Sequence, residues 1–299
     1  MQTLLITGSN GLLGSRLVRQ AQRRYKVVGI SKAAPTESPL GYDFCRVDIR
    51  DRPRVAVVVA KCRPAVIIHT AAMTAVDRCE ISPVEAAAIN VAGSEHVAAA
   101  AAAVGAHLIA LSTDYVFDGE AGPYRETEAT NPLSVYGRTK LEAERRVAAV
   151  CPNACIARTS GLYGAAAGVR PNFVLWALSE LRAGRPITLV TDQIGSPTLA
   201  DDLAALLLDL GERRAAGVFH ATGSQSISRY DFGLRIAACF GLDPGLIRRG
   251  ATPELRQPAP RPRHSGLVVD KLTGVVGRAP LDVDAGLNEL KRQLEMAAP

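Results

Sequence analysis

Residues 3–14 read TLLITGSNGLLG, a short apolar run followed by three glycines spaced three residues apart. The apolar run is typical of a buried strand, and the residues after it read as a helix. Of the three glycines, one permits a tight turn, one lets a pyrophosphate approach the backbone, and one lets the helix pack closely on the strand. The helix N-terminus directs free N–H groups at that anion. We therefore predict a dinucleotide site formed by Gly8, Asn10, Gly11, Leu12 and Leu13.

Outward from this loop, apolar runs alternate with helix-like stretches through the first half of the chain. The strand-like runs are Thr3–Thr7, Lys26–Ile30, Ala65–His69 and Ala106–Ser112. The helix-like stretches are Leu12–Arg23, Val55–Lys61 and Val84–Val104. Continuous apolar strands that alternate with helices are typical of a parallel sheet buried on both faces. The pattern predicts an α/β fold with a doubly wound parallel sheet of the Rossmann type.

The second half is punctuated by proline and predicts a smaller C-terminal α/β substrate domain. Expected helices are Asn172–Arg182, Leu199–Leu210, Ser228–Phe240 and Asp284–Met296, and expected strands are Ile187–Val190 and Gly217–His220. We predict a cofactor-binding domain at 1–160, with a returning strand near 217–221, and a mainly substrate-binding domain at 161–299. Residues Thr252–His264 are expected to form a long loop, and long loops in compact domains are often functional. The basic group around it is either a solvated loop or a phosphate-binding rim: Arg248, Arg249, Arg256, Arg261 and Arg263.

Composition excludes several classes of protein. The chain has 299 residues, 47% of them hydrophobic and 21% charged, which is unlike a disordered protein. Its longest apolar run, residues 97–111, is shorter than the roughly 20 residues of a membrane span, and no signal peptide is visible at the start. Six cysteines without a Cys-x-x-Cys pair predict neither disulfides nor a metal site. We expect a cytoplasmic protein that does not bind membranes.

The net charge of +6 favours anionic ligands, whereas the aromatic content of 5% argues against stacking on single-stranded nucleic acid. The second strand-like run ends in Ser31 and Lys32, where an acid that holds the ribose 2′-hydroxyl is expected in NAD-binding proteins. A hydroxyl and a cation there suit a 2′-phosphate, so NADPH is favoured and NADH is the alternative. Asp48 and Ile49 are placed beside the adenine; Asp48 is alternatively the N-cap of the next helix, and the two roles are compatible.

A tyrosine and a lysine form the candidate catalytic pair. Asn131 and Pro132 resemble an N-cap and a first-turn proline, which places Tyr136 and Lys140 one turn apart on one helix face. A phenol near pKa 10 is a poor acid or base at neutral pH. We expect the neighbouring ammonium to lower that pKa toward the value that proton transfer needs. Thr113, which ends a predicted strand, is placed to hydrogen-bond the same substrate oxygen.

These motifs resemble those of the extended short-chain dehydrogenase/reductases, and among them the dTDP-4-dehydrorhamnose reductase family. The resemblance covers nearly the whole chain. It rests on the glycine loop and on AAMTAVD at 71–77, STDYVF at 112–117, VYGRTK at 135–140, RTS at 158–160, NF at 172–173, DQIGSPT at 192–198 and RPR at 261–263.

The resemblance implies an NADPH-dependent reductase of a nucleotide-linked 4-keto sugar. In this interpretation Tyr136 protonates the new alkoxide, Lys140 holds the nicotinamide ribose and Thr113 positions the ketone. The resemblance also places Ala71, Ala72 and Met73 beside the cofactor, with Asn90 ordering the interior of the site. The substrate residues that it implies are Thr113, Asp114, Asn172, Gln193 and Arg263.

Two residues depart from that family's pattern. Met73 stands where the pattern has histidine, and Gly161 stands where it has a tryptophan that lines the sugar pocket. The loss of this indole leaves the identity of the sugar open. Two alternatives also stay open: an NADP-binding regulatory subunit similar to the methionine adenosyltransferase β subunit, and a sugar-nucleotide epimerase or dehydratase. A homodimer is a further expectation.

Overall fold

The computed structural model describes residues 1–35 and 41–297. The strands, in chain order, are β1 Thr3–Thr7, β2 Lys26–Ser31, β3 Asp43–Arg46, β4 Val66–His69, β5 His107–Thr113, β6 Cys155–Thr159, β7 Leu162–Tyr163, β8 Ile187–Val190, β9 Ile194–Gly195, β10 Thr198–Leu199, β11 Gly217–His220, β12 Ile227–Ser228 and β13 Ile247–Gly250. The helices are α1 Leu12–Ala21, α2 Arg52–Cys62, α3 Val76–Ile81, α4 Pro83–Ala87, α5 Gly93–Val104, α6 Val135–Val150, α7 Phe173–Arg182, α8 Ala200–Glu212, α9 Arg229–Phe240, α10 Asp270–Val276 and α11 Val283–Ala297.

Seven parallel strands form the central sheet in the order β11-β6-β5-β4-β1-β2-β3. The sheet reverses its winding direction beside β1, as in a doubly wound fold. Thr7, His69 and Thr113 end their strands at one edge, because parallel strands share the direction of their carboxyl ends. The predicted α/β fold with a parallel, doubly wound sheet is confirmed.

Both faces of the sheet are covered by helices, which explains why its central strands are apolar on both sides. One core joins β1, β4 and β6 to α1, α8 and α10. The other joins the opposite faces of β1, β2, β4 and β5 to α2, α5 and α6. Such burial on both faces accounts for strand sequences such as LLI and VIIH, which do not alternate in polarity.

A separate core lies in the second half, where α7, α9 and α11 pack around β8 and β13. The chain does not remain there after residue 160, since β11 pairs with β6 while α8 and α10 pack against the first core. Arg248 and Arg249 lie in β13, which pairs with β8. The interpretation of these two arginines as part of a solvated loop is therefore wrong, since they are exposed residues of a short strand whose sequence, IRRG, has no alternation of polar and apolar residues.

The predicted helix Val84–Val104 is a composite of α4, a π-helical turn at Ala88–Ala92 and α5. By length and composition alone the continuous stretch Pro83–Val104 is suited to cross a membrane, and 39% of its apolar 18-residue window is buried inside the protein. Its α5 part packs against α2 and α6. Core helices of water-soluble proteins pass the same test, so this feature is weak evidence for a membrane span.

Candidate functional site

The glycine loop joins β1 to α1 in a tight turn. Gly8 has φ +68°, and a Cβ there would lie 2.9 Å from the Ala71 nitrogen. A Cβ at Gly14 would lie 2.1 Å from the Gly8 carbonyl oxygen, so a side chain is excluded where the helix crosses the turn. Gly11 is the N-cap of α1 and provides no side-chain cap. The first turn of α1 therefore retains backbone N–H groups for an anion.

Asn10 and the residues after β2 form the outer end of this groove. The Asn10 amide donates to the Ala33 carbonyl oxygen at 2.7 Å, which ties the glycine loop to the loop after β2. Lys32 is exposed there, and Arg46 at the end of β3 donates through Nε to the Lys32 carbonyl oxygen at 3.0 Å. Ser31 is half-buried beside them. Arg46 adds a second cation that the sequence analysis did not assign, because β3 was not predicted.

Asp48 and Ile49 follow β3 but have different surroundings. Asp48 accepts a bidentate ion pair from Arg50, with a shortest N–O distance of 2.6 Å, and hydrogen bonds from that guanidinium hold the pKa of Asp48 below its usual value. The side chain that caps α2 is Asp51, so the alternative that Asp48 is the N-cap is wrong. Ile49 is buried, its side chain near Gly93, and its carbonyl oxygen contacts His96.

The segment after β4 passes beside the glycine loop. Ala71 contacts Gly8 and donates its N–H to the Thr7 hydroxyl at 3.2 Å, and Ala72 is half-buried next to it. The Asn90 amide is bonded to both the N–H and the carbonyl oxygen of Met73, at 2.8 and 3.2 Å. Met73 itself packs with Cys79, Ala86 and Tyr136. The structure thus brings Met73 and Asn90 to the predicted catalytic tyrosine.

Helix α6 begins one turn later than expected. Ser134 is its N-cap and accepts from the Gly137 N–H at 3.1 Å, whereas Asn131 is bonded to Asp118. The prediction of Asn131 as the N-cap is wrong, but Tyr136 and Lys140 still lie one turn apart on the helix. The Asn90 amide also donates to Thr139 at 3.1 Å, which fixes this part of α6 against the Met73 segment.

Thr113 and Tyr136 face each other at the carboxyl end of β5. Burial raises the pKa of Tyr136 well above its ordinary value, and a hydrogen bond with the Thr113 side chain opposes that rise. The expectation that Lys140 lowers this pKa is not met here, because desolvation outweighs the other effects. The phenol consequently carries its proton at neutral pH, as a proton donor must.

Lys140 is buried, and its Nζ donates to the Leu111 carbonyl oxygen at 2.6 Å. Desolvation lowers the pKa of this ammonium to about 8, and the charge of Glu144 opposes the change. Lys140 therefore remains charged at neutral pH but titrates within the range of a laboratory assay.

A cleft opens beside Asp114 and Tyr115, the two residues that follow Thr113. Tyr115 lines this cleft and packs edge-to-face against the Tyr136 ring, with 5.8 Å between ring centroids. Four chain segments contribute lining residues: 160–161, 193–197, 227–232 and 262–265. Gly161 lines it with φ +52°, and a Cβ there would lie 3.2 Å from the Pro197 Cα. Glycine is favoured at this position by its backbone angle, and it leaves the cleft open.

Asp114 joins the cleft to the catalytic strand. Its carboxylate accepts from the hydroxyls of Thr113, Ser160 and Ser265 at 3.1, 2.8 and 2.5 Å. Burial raises the pKa of Asp114, and these hydroxyl donors oppose that rise. Asp114 lines the cleft and also orients Thr113, so a direct role toward substrate stays a prediction.

The other predicted substrate residues are separated by the fold. Gln193 lines the cleft, and its amide donates to Thr252 and Gln257 of the long loop. Asn172 does not line the cleft: it caps α7 and donates to the Gly164 carbonyl oxygen at 2.6 Å. Arg263 is exposed, and its backbone accepts from Ile194. Their binding roles stay predictions, and Asn172 has the weakest geometric support.

Two arginines near the cleft were not recognised in their observed roles. Arg229 lines the cleft and lies over the Phe173 ring at 4.9 Å. Arg261 pairs with Asp77 at 2.6 Å and fastens the long loop to α3, so it does not belong to a free phosphate rim. Neither role had a local sequence signal, because each depends on residues more than 50 positions away. Within residues 1–35 and 41–297, no group of three His, Cys, Asp or Glu side chains could hold a metal ion.

The RmlD substrate binding domain family model matches residues 1–296. The chain belongs to this family. It is 40% identical over 270 residues to a dTDP-4-dehydrorhamnose reductase of Streptomyces griseus, covering 88% of this chain and 84% of that protein. It is 37% identical to a probable low-salt glycan biosynthesis reductase of Haloferax volcanii, covering 91% of both chains.

The crystal structure of dTDP-4-dehydrorhamnose reductase from Bacillus anthracis in complex with NADP has a TM-score of 0.89 to this fold. It is 30% identical in sequence, and the match covers 98% of this chain and 99% of that one. The family resemblance predicted from the motifs is confirmed.

Proposed function

We propose that this protein is an NADPH-dependent reductase of a nucleotide-linked 4-keto sugar. The observation that carries the proposal is the position of Tyr136, whose ring packs both against Met73, in the segment that passes the glycine loop, and against Tyr115 of the open cleft. Curated relatives that match most of the chain are dTDP-4-dehydrorhamnose reductases, and one related structure holds NADP. These relatives bear out the predictions of a reductase and of NADP as its cofactor.

The groove beside the glycine loop fits a dinucleotide phosphate. Gly8 and Gly14 stand where a Cβ would fill the turn, and the first turn of α1 has no side-chain cap. These backbone groups would hold the pyrophosphate, Lys32 and Ser31 would hold the 2′-phosphate, and Lys140 would hold the nicotinamide ribose. When bound, the nicotinamide supplies a hydride.

The protein side chains supply the proton and the orientation. The phenol of Tyr136, which is protonated at neutral pH, donates its proton to the carbonyl oxygen as that oxygen gains negative charge. The Thr113 hydroxyl donates to Asp114 in this structure and would turn its proton to the same carbonyl oxygen when the substrate binds. Burial around Met73 excludes water from the tyrosine side of the site.

The cleft receives the nucleotide sugar. Gln193, Asp114 and Arg229 present polar groups along it, and Gly161 leaves room beside Pro197. Arg229 has no carboxylate partner in the described residues, and its guanidinium therefore suits the negative charge of a diphosphate. We place the protein in the cytoplasm, as a homodimer that binds neither nucleic acid nor membranes.

A direct assay is NADPH oxidation with a panel of 4-keto nucleotide sugars, followed by NMR identification of the product. We expect one NADPH oxidised per ketone reduced. Tight NADPH binding without turnover on any member of the panel would contradict the proposal and favour the regulatory subunit. Conversion of a sugar without net NADPH consumption would favour an epimerase or a dehydratase.

A further inference from the structure

Lys140 of the catalytic pair is one of three buried charged residues that lie close together. Lys140, Glu144 and Arg158 are each less than a tenth exposed, at 4%, 7% and 4%. Buried charges are costly unless they are paired, and a buried ion pair often stabilises a fold no better than apolar residues of similar size. A cluster of this kind beside a reactive lysine therefore calls for an explanation other than stability.

Glu144 is held tightly from two sides. Arg158 on β6 donates two hydrogen bonds to its carboxylate, from Nε at 2.9 Å and from Nη2 at 2.8 Å. The Ser112 hydroxyl on β5 donates to the same carboxylate. The guanidinium of Arg158 also lies 5.1 Å from the centre of the Phe117 ring. These contacts hold the carboxyl group of Glu144 in one place in the interior.

Lys140 and Glu144 are anchored to consecutive residues of one strand. Lys140 donates to the Leu111 carbonyl oxygen, and Ser112 donates to Glu144. The two side chains lie one turn apart on α6 and line the same small internal cavity, together with Ser94 and Ser112. In the described part of the chain no carboxylate lies within 4 Å of the Lys140 ammonium. The charge of Glu144 therefore acts on the ammonium across the cavity that both side chains line.

The other titratable groups around Lys140 do not provide a negative charge. His69 on β4 is fully buried between Thr7 and Ser94, and burial lowers its pKa to about 3, so it is neutral. Tyr136 on α6 retains its proton at neutral pH. Arg158 is a cation that is already engaged by Glu144.

We propose that Glu144, fixed by Arg158 and Ser112, is a positioning residue that keeps the buried Lys140 in its ammonium form during the reaction. This inference rests on the proposed function, because it gives the charge of Lys140 a catalytic purpose. Burial alone drives lysines toward the neutral amine, in extreme cases below neutral pH. Glu144 opposes that tendency, and Arg158 and Ser112 hold its carboxyl group in place beside the cavity.

The test is an NMR titration of Lys140 in protein labelled with ¹³C and ¹⁵N lysine. The chain has only six lysines, and a Lys140→Gln variant identifies the signal. Glu144→Gln is expected to lower the titration midpoint of Lys140 by about one pH unit or more. Glu142→Gln removes the same charge from the outer face of α6, where Glu142 pairs with Arg145 and Arg146, and is expected to leave the midpoint unchanged.

A second variant is needed in case Glu144→Gln does not fold. Glu144→Gln alone leaves Arg158 buried without its partner, which is destabilising. The double variant Glu144→Gln with Arg158→Gln removes both charges, and its midpoint is expected to lie between those of the wild type and of Glu144→Gln, because loss of the Arg158 cation raises the pKa of Lys140. A midpoint that stays at its wild-type value in the folded single or double variant would overturn the inference.

The reductase assay supplies a second readout. The alkaline loss of kcat is expected to move to lower pH in Glu144→Gln by the same interval as the NMR midpoint, with activity near pH 6 much less affected. A uniform loss at every pH, without a shifted midpoint, would show that Glu144 is only structural. An inactive wild-type enzyme with a shifted NMR midpoint would instead refute the proposed function and leave the electrostatic role of Glu144 standing.

Discussion

The two walls of the site are constructed differently. We call them the cofactor wall, formed by residues 8–14, 71–73, 113 and 136–140, and the cleft wall, formed by 160–161, 193–197, 227–232 and 262–265. The cofactor wall is made of strand ends and helix starts, and the key residues within each of its motifs are close in sequence. The cleft wall is assembled from segments up to 105 residues apart, joined through hydroxyls on Asp114. The residues proposed for the chemistry thus lie in short motifs, whereas those proposed for substrate binding come from segments that only the fold brings together.

The largest effect is expected on the cofactor wall from Tyr136→Phe. Loss of the phenol removes the proton donor, so kcat should fall about a thousandfold. The ring keeps its packing against Met73 and Tyr115, and NADPH affinity should stay within a few-fold. Stopped-flow reduction and cofactor titration measure the two quantities. Tyr115→Phe, a neighbouring control, should lose less than tenfold; full activity of Tyr136→Phe would exclude it from the chemistry.

A smaller loss is expected at the junction between the two walls. Thr113→Val keeps the shape of the side chain but removes the hydroxyl bonded to Asp114, so kcat should fall about a hundredfold with little change in NADPH affinity. Thr113→Ser retains the hydroxyl and should recover most of the activity. Equal activities for valine and serine at this position would remove the hydroxyl from the mechanism.

The choice between NADPH and NADH tests Lys32, which lies at the outer end of the groove beside the cofactor wall. Lys32→Asp should shift the ratio of kcat/KM for NADPH over NADH by about tenfold or more toward NADH, since a carboxylate repels a 2′-phosphate. Lys61→Asp makes the same charge change at the exposed end of α2 and should leave the ratio unaltered. If both variants gave the wild-type ratio, Lys32 would not contact the phosphate.

The mildest change is expected on the cleft wall. Gly161→Ala strains a residue at φ +52° and should reduce the free energy of unfolding by about 1 kcal/mol while raising KM for the sugar. Gly105 has φ +70°, and a Cβ added there would meet no neighbouring side chain or backbone within 4 Å. Gly105→Ala should therefore lose similar stability with an unchanged KM. Urea unfolding and steady-state kinetics separate the two effects. Identical KM values in both variants would place Gly161 outside the substrate path.

The cofactor wall could be predicted because its signals are local. Residues 3–14 carry strand, turn and helix in one stretch, and the spacing of Tyr136 and Lys140 fixes one helix face regardless of where α6 begins. Its electrostatics were less predictable, since the desolvation that raises the pKa of Tyr136 depends on burial by Met73 and its neighbours.

The cleft wall could be predicted only through family resemblance, and even then in part. Asn172 serves as a helix cap, a role that a short polar residue before an apolar run also signals. Arg229 and Ser265 reach the cleft through long-range folding and have no motif. The strands β3 and β6 escaped prediction because DFCR and CIART mix polar with apolar residues.

The most direct test of the account uses NADPH deuterated at carbon 4 of the nicotinamide, with a dTDP-linked 4-keto sugar as substrate. Mass spectrometry and NMR of the product locate the label. We predict deuterium from one face of the nicotinamide on carbon 4 of the reduced sugar, in equal amount to the NADPH consumed. A product without deuterium, or bound NADPH that persists unoxidised beside the ketone, would contradict the assignment of these two walls to one reductase site.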